Sequence, residues 1–198
     1  MNFIESLQDK IKLYNELIPK KFSSNPPIKN EEITSFENNY EVIIPKDYKE
    51  FLLNIGNGEF ELNNDYFLEL TASTWGNISK PFNPNIENEN FNGLLQIVEL
   101  NHSGGIIFLV VNGSEYGNIW YSDSNSDIDI QPFLDKENKV MNFDGLINYY
   151  FDSEMRYYIK AQERAKSNAL VLKKKNQAVK KNNSEEKSLM KLLLKIFK

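Results

Sequence analysis

The sequence predicts an α+β domain: N-terminal helices packed on a twisted, mainly antiparallel sheet of five or six strands, a closing helix near 143–160, and a helical C-terminal extension. Three observations predict it. Apolar residues recur at three-to-four-residue spacing up to Ile55. After Gly58 they form short runs broken by Asn, Gly and Pro. Helical spacing returns at Phe143. A length of 198 residues suits one domain with an appendage, and 40% hydrophobic with 26% charged residues is the composition of a folded chain. The expected division is a domain at 1–155 and a basic helical extension at 156–198.

Phe3, Ile4, Leu7, Ile11, Tyr14, Leu17 and Ile18 line one face of a first helix, which Pro19 ends. Residues 19–28 read as a loop. Asn30 is the expected N-cap of a second helix, with Glu31 and Glu32 in the first turn where the helix dipole favours negative charge. Ile33, Phe36 and Tyr40 form its apolar face. Val42-Ile43-Ile44 is an extended link. Pro45 opens a third helix at its first position, with Tyr48, Phe51, Leu52 and Ile55 on one face. Gly56-Asn57-Gly58 stops it, Gly56 or Asn57 suiting the left-handed residue of a helix end.

Residues 59–70 read as a strand or two turning at Asn63-Asn64, 71–93 as loop, and 94–100 as a strand or short helix. Ile106–Val111 is an unbroken apolar run, the mark of a strand buried on both faces. Asn112-Gly113 and Gly117-Asn118, followed by Ile119-Trp120-Tyr121, make a strand–turn–strand signal. Trp120 is expected in the core. Asp123 to Asp129 reads as an acidic loop and Ile130 to Leu134 as a further short strand. Phe143, Leu146, Ile147, Tyr150 and Phe151 set the closing helix. Beyond Lys160 the pattern weakens; 173–183 reads as a flexible Lys-rich linker before a last helix, in which Lys187, Lys191 and Lys195 share one face.

The formal charge of −5 conceals two blocks. Residues 1–150 hold ten lysines and no arginine against 23 carboxylates, a balance of −13. Residues 151–198 hold 13 cations against five carboxylates, a balance of +8. The acidic body repels nucleic acid and steers cationic partners toward itself. No secretory signal and no membrane-spanning run is visible, so a cytoplasmic location is the expectation.

The absence of cysteine excludes disulfides, thiolate metal sites and a catalytic thiol, and a single histidine, His102, excludes paired-histidine metal motifs. His102 and Ser103 are adjacent and do not face each other as base and nucleophile. The glycines match no phosphate-binding loop. Asp123, Asp127 and Asp129 lack the ligand order, central glycine and twelfth-position glutamate of a calcium loop, so a solvated acidic loop is the better reading. No enzyme activity, metal or cofactor is expected.

Asn30-x2-Ile33-x2-Phe36-Glu37, then Ile44-Pro45-x-Asp47-Tyr48-x2-Phe51-Leu52, then Gly56-Asn57-Gly58 resembles the start of the SMI1/KNR4 (SUKH) family. The Gly105–Val111 strand, Gly117-Asn118-Ile119-Trp120-Tyr121 and the helix from Phe143 to Phe151 extend the resemblance over roughly residues 28–153. The quoted residues have structural jobs: none is a nucleophile, base or metal ligand. The resemblance implies a non-catalytic immunity protein that binds and neutralises a cognate toxin of a contact-dependent or polymorphic system, or else a regulatory scaffold. Nuclease toxins tend to be basic, which suits an acidic inhibitor. Charge and loop placement select Glu59, Glu61, Asp65, Glu69, Trp75, Asp123, Asp127 and Asp129 as partner-binding residues. The C-terminal helix, with Lys on one side and Leu, Ile and Phe on the rest, has the pattern of a surface that docks on a partner, on the chain's own acidic body or a second copy, or on an anionic membrane, the membrane being the weaker reading.

Overall fold

The computed structural model describes residues 2–19, 21–60, 65–73, 75–85, 91–100, 104–123 and 128–196, with side chains in the last helix described as far as 176. The chain divides into two compact units, Met1–Met155 and Arg156–Lys198.

The first unit is α+β. Helices α1 (Phe3–Leu17), α2 (Asn30–Tyr40), α3 (Lys46–Asn54) and the start of α4 (Phe143–Ile196) accompany a sheet of strands β1 (Phe22–Ser24), β2 (Gly58–Phe60), β3 (Asp65–Ala72), β4 (Leu94–Leu100), β5 (Gly105–Val110), β6 (Ile119–Asp123) and β7 (Ile128–Pro132). The strands lie in sequence order and every neighbouring pair is antiparallel. The described residues thus hold seven strands, one more than the upper expectation. The addition is β1, inside the segment read as loop: its serines carry no apolar signal, and only Phe22 is buried.

The two faces of the sheet follow from alternation. One row runs Gly58, Phe67, Val98, Ile107, Tyr121, Gln131 across β2 to β7 and belongs to the helix-covered face. Its core is aromatic. Tyr14 of α1 meets Phe60 at 5.5 Å and Phe151 of α4 at 5.2 Å, edge to face; Phe51 of α3 meets Phe143 of α4 at 5.2 Å. Such contacts add about 0.5–1.5 kcal/mol each beyond area burial.

The residues around Pro45 explain why these elements meet. Pro45 is the N-cap of α3, one position before the first helical residue where it was expected. Two residues on, Asp47 Oδ2 accepts the Asp144 N–H at 3.1 Å, so α3 supplies a cap to the first turn of α4. Tyr48 is fully buried and its hydroxyl lies 2.7 Å and 2.8 Å from the carbonyls of Leu68 and Glu69. Those carbonyls sit where β3 shifts register against β4, between Phe67 and Thr71. Glu37 of α2 accepts the Ile44 N–H and pairs with Lys49 at 3.1 Å. Gly56 takes the left-handed conformation at φ +89°, and a Cβ there would lie 2.2 Å from the Asn25 carbonyl oxygen.

Two expectations are corrected and an open one is decided. The N-cap of α2 is Lys29, not Asn30, and of α2 only Ile33 is buried; Tyr40 lies exposed beside Phe36. Residues 94–100, read as a strand or short helix, are a strand. The segment 173–183 is helical, because α4 continues to Ile196. No glycine or proline follows Gly145, and Lys, Ala, Gln and Leu all favour helix, so no residue there breaks it.

The buried Tyr48 hydroxyl gives a direct test. Replacing Tyr48 with Phe leaves two strand carbonyls without their donor and is expected to lower stability by about 1–3 kcal/mol. Urea unfolding measures it; a Tyr48→Phe protein as stable as the parent refutes the anchoring role.

Candidate partner-binding surface

The opposite sheet face carries no helix from the first unit's core. Its first row crosses the strands as Glu59, Tyr66, Glu99, Ile106, Ser122. Its second row is Thr71, Gln96, Phe108, Trp120, Pro132. The second row is roofed by the segment between β3 and β4. Phe82 stands edge-on to Trp120 at 4.8 Å; Trp75 and Phe91 lie 6.0 Å and 5.8 Å from Phe108. Phe82, Leu94, Phe108, Val110 and Trp120 form a buried cluster there, which places Trp120 in a core. The first row is more open at its Glu59–Glu99 end: Glu99 is exposed and Glu59 and Tyr66 are half-buried, whereas Ile106 packs against that cluster and Ser122 is buried.

Trp75 lies at the open edge of this roof. It stacks edge-on against Phe91 at 5.1 Å yet keeps 50% of its surface in solvent. Its loop is held tightly. Gly76 presses on the Phe91–Asn92 backbone, where a Cβ would come within 2.2 Å of the Phe91 carbonyl oxygen, and Asn92 Oδ1 accepts the Asn77 N–H at 2.9 Å. From Phe108, beneath Trp75, the register leads to Gln96, whose amide donates to Glu99 Oε1 at 3.0 Å. Beyond Glu99 comes Tyr66, its hydroxyl accepting from Asn25 and Asn57 at 2.7 Å and 2.8 Å.

Of the residues selected from sequence, the structure brings Glu59 and Trp75 to this face. Asp65 and Asp123 are not loop residues. They end strands on the helix-covered side and are only 7% and 9% exposed, because strand alternation puts Asp65 in phase with Phe67 and Asp123 in phase with Tyr121. Glu69 is exposed in the irregular stretch of β3 whose carbonyls hold Tyr48. Asp129 is exposed on β7, not in a loop. Glu61 and Asp127 lie outside the described residues, as do His102, Ser103 and the Asn63-Asn64 turn. Sequence reasoning passed over Gln96 and Glu99, although two polar residues inside the otherwise apolar β4 were a signal of a solvent-facing row.

The charge pattern is one-sided. The seven strands carry six carboxylates (Glu59, Asp65, Glu69, Glu99, Asp123, Asp129) and no lysine or arginine. Among the described residues no group of three or more His, Asp or Glu is placed to hold a metal ion. No helix searched among them is long and apolar enough to cross a membrane.

The buried Asp65 has an electrostatic role instead. Burial, and after it the charge of Asp65, holds the Glu154 carboxyl above its usual value of 4.5. A raised carboxyl pKa means that the folded state binds the proton more tightly than the unfolded chain. Stability therefore falls as pH rises from the ordinary glutamate range through the folded pKa of Glu154. Asp65→Asn is expected to move the Glu154 midpoint downward in a carbon-detected NMR titration; an unmoved midpoint removes Asp65 as a contributor.

The family model of SMI1/KNR4 (SUKH-1) matches residues 27–153. Neither a curated protein nor a solved structure matches the chain. The match begins just before α2 and ends inside α4, so it takes in α2, α3, β2 to β7 and the Phe143–Phe151 turns of α4. The matched segment is more than half of the sequence, and its α3 motif accounts for the joining of α3, β3 and α4; the chain belongs to the SMI1/KNR4 (SUKH-1) family.

Proposed function

We propose that this chain is a non-catalytic immunity protein, which binds a cognate bacterial toxin of basic charge stoichiometrically and covers its active site. One observation carries the reading: a sheet with no cation whose carboxylates outside the buried pair, Glu59, Glu69, Glu99 and Asp129, reach solvent, within a family that includes immunity proteins. The first unit as a whole holds ten lysines against 25 carboxylates, a balance of −15. A nuclease toxin fits best, since a surface evolved to hold phosphates is cationic. An anionic inhibitor then gains association rate, with electrostatically steered pairs reaching ~10⁸–10⁹ M⁻¹s⁻¹ at low salt against a neutral ~10⁵–10⁶. A location in the cytoplasm, where such a toxin acts, belongs to this reading.

The second unit favours a further role as adaptor. Arg156–Lys198 holds 13 cations against three carboxylates, a balance of +10, and Tyr157, Ile159, Leu170, Val171 and Leu172 are exposed. A helix of that character has affinity for an anionic partner or membrane surface.

Co-expression with the product of the adjacent reading frame tests the immunity reading. Toxicity of that product alone, growth restored by this chain, and a one-to-one complex on co-purification are expected. A non-toxic neighbour, or a toxic one that this chain neither binds nor neutralises, overturns it. For the adaptor role, sedimentation of the full chain with phosphatidylserine vesicles is expected to exceed that with phosphatidylcholine vesicles; equal sedimentation rules out an anionic membrane as the target.

A further inference from the structure

We infer that the open half of the helix-free sheet face, running from Trp75 through Gln96 and Glu99 to Ile106, Tyr66 and Glu59, is the docking surface for a protein segment bearing arginine and lysine. This rests on the immunity reading and specifies its surface and the chemistry of its partner.

Four observations converge on that surface. First, a half-exposed tryptophan is held in place before any partner arrives. Phe91 and Phe108 flank its ring, and the Gly76 contact and the Asn77–Asn92 bond fix its loop. An aromatic side chain immobilised in the free protein loses little entropy on binding, which is the property of an interface anchor. Second, the path from Trp75 to Glu59 is continuous, each step being a ring contact, a register neighbour or a hydrogen bond. Third, the competing face is filled by α1, α3 and α4, with Phe51, Phe60, Phe67, Phe143 and Phe151 fully buried. Fourth, the occupant's charge follows from the row itself: its two ionisable carboxylates, Glu59 and Glu99, stand on strands that carry no lysine or arginine.

The combination favours arginine over lysine. A guanidinium stacks on an indole face or pairs in a fork with a carboxylate, and this face offers one of each, the half-exposed Trp75 and the exposed Glu99, to successive arginines of one segment. Ile106 supplies an apolar floor for the aliphatic stem.

The test uses the full chain and a fluorescein-labelled nona-arginine peptide, with binding read by anisotropy at low salt. Trp75→Ala and Glu99→Lys are each expected to weaken binding by about tenfold. Glu16→Lys, an equal charge reversal on the exposed side of α1, is expected to change it by less than about twofold. Thermal unfolding of each variant guards against misfolding. Unlabelled peptide is also expected to shift the tryptophan emission, since Trp120 is only 7% exposed and Trp75 reports on the face. Equal losses from Glu99→Lys and Glu16→Lys, or full affinity in Trp75→Ala, overturn the inference. The variants are then scored for growth rescue against the adjacent-frame toxin. Rescue by the parent and equally by both face variants defeats the surface alone. Face-specific peptide binding with no rescue by the parent defeats the immunity reading and leaves the cation-binding surface in place.

Discussion

Tyr48 and its neighbours on α3 are the constraint on which the rest of the domain depends. In one turn of helix, Asp47 caps α4 from 97 residues away, Tyr48 holds the displaced carbonyls of β3, and Phe51 fills the space between Phe67 and Phe143. A helix start, a strand irregularity and the aromatic core are thereby fixed by the same short segment. Burial pushes the Tyr48 hydroxyl well above the usual tyrosine value, with Glu69 adding to the effect, so it stays a donor at any pH the fold experiences. None of these roles involves chemistry on a ligand. The motif builds the frame, and the exposed rows of the sheet take no part in it.

The frame also decides which carboxylates meet solvent. A strand alternates its side chains, so acidic residues close in sequence part company in space. Glu59 and Asp65, on paired strands, go to opposite faces: Glu59 stands opposite Tyr66 on the helix-free side, and Asp65 stands opposite Phe60 beneath α4. Asp65 then acts on Tyr150 and Glu154, raising both alongside burial, and its charge is spent inside the domain. Only the outward set presents its charge at the surface.

Much of the fold was legible in the sequence, for physical reasons that can be named. The helix at 3–17 shows through its period, α3 through Pro45 and the glycines after it, and β5 through an unbroken apolar run. The strand at 22–24 was not, because three residues with two serines hold their place by pairing with β2 and by Phe22 packing on Phe60, both long-range effects. The continuity of α4 was hidden by its lysines: they read as a linker by composition, whereas propensity without glycine or proline sustains the helix. The candidate surface was half legible. Trp75 stood out as an aromatic in a loop, but Glu99 became visible only when register placed it beside Gln96 and Tyr66.

The sheet's lack of cations bears on what the protein avoids as well as what it attracts. Both edges of an antiparallel meander offer unpaired backbone to any passing strand, and here β1 is three residues long while β7 carries Asp129 and ends at Pro132. A second copy approaching through β7 meets Asp129 with Asp129, and one approaching face to face meets Glu59 and Glu99 with their own likes. Such like-charge encounters work against the pairing of identical sheets, a safeguard built into the strands rather than added at their ends.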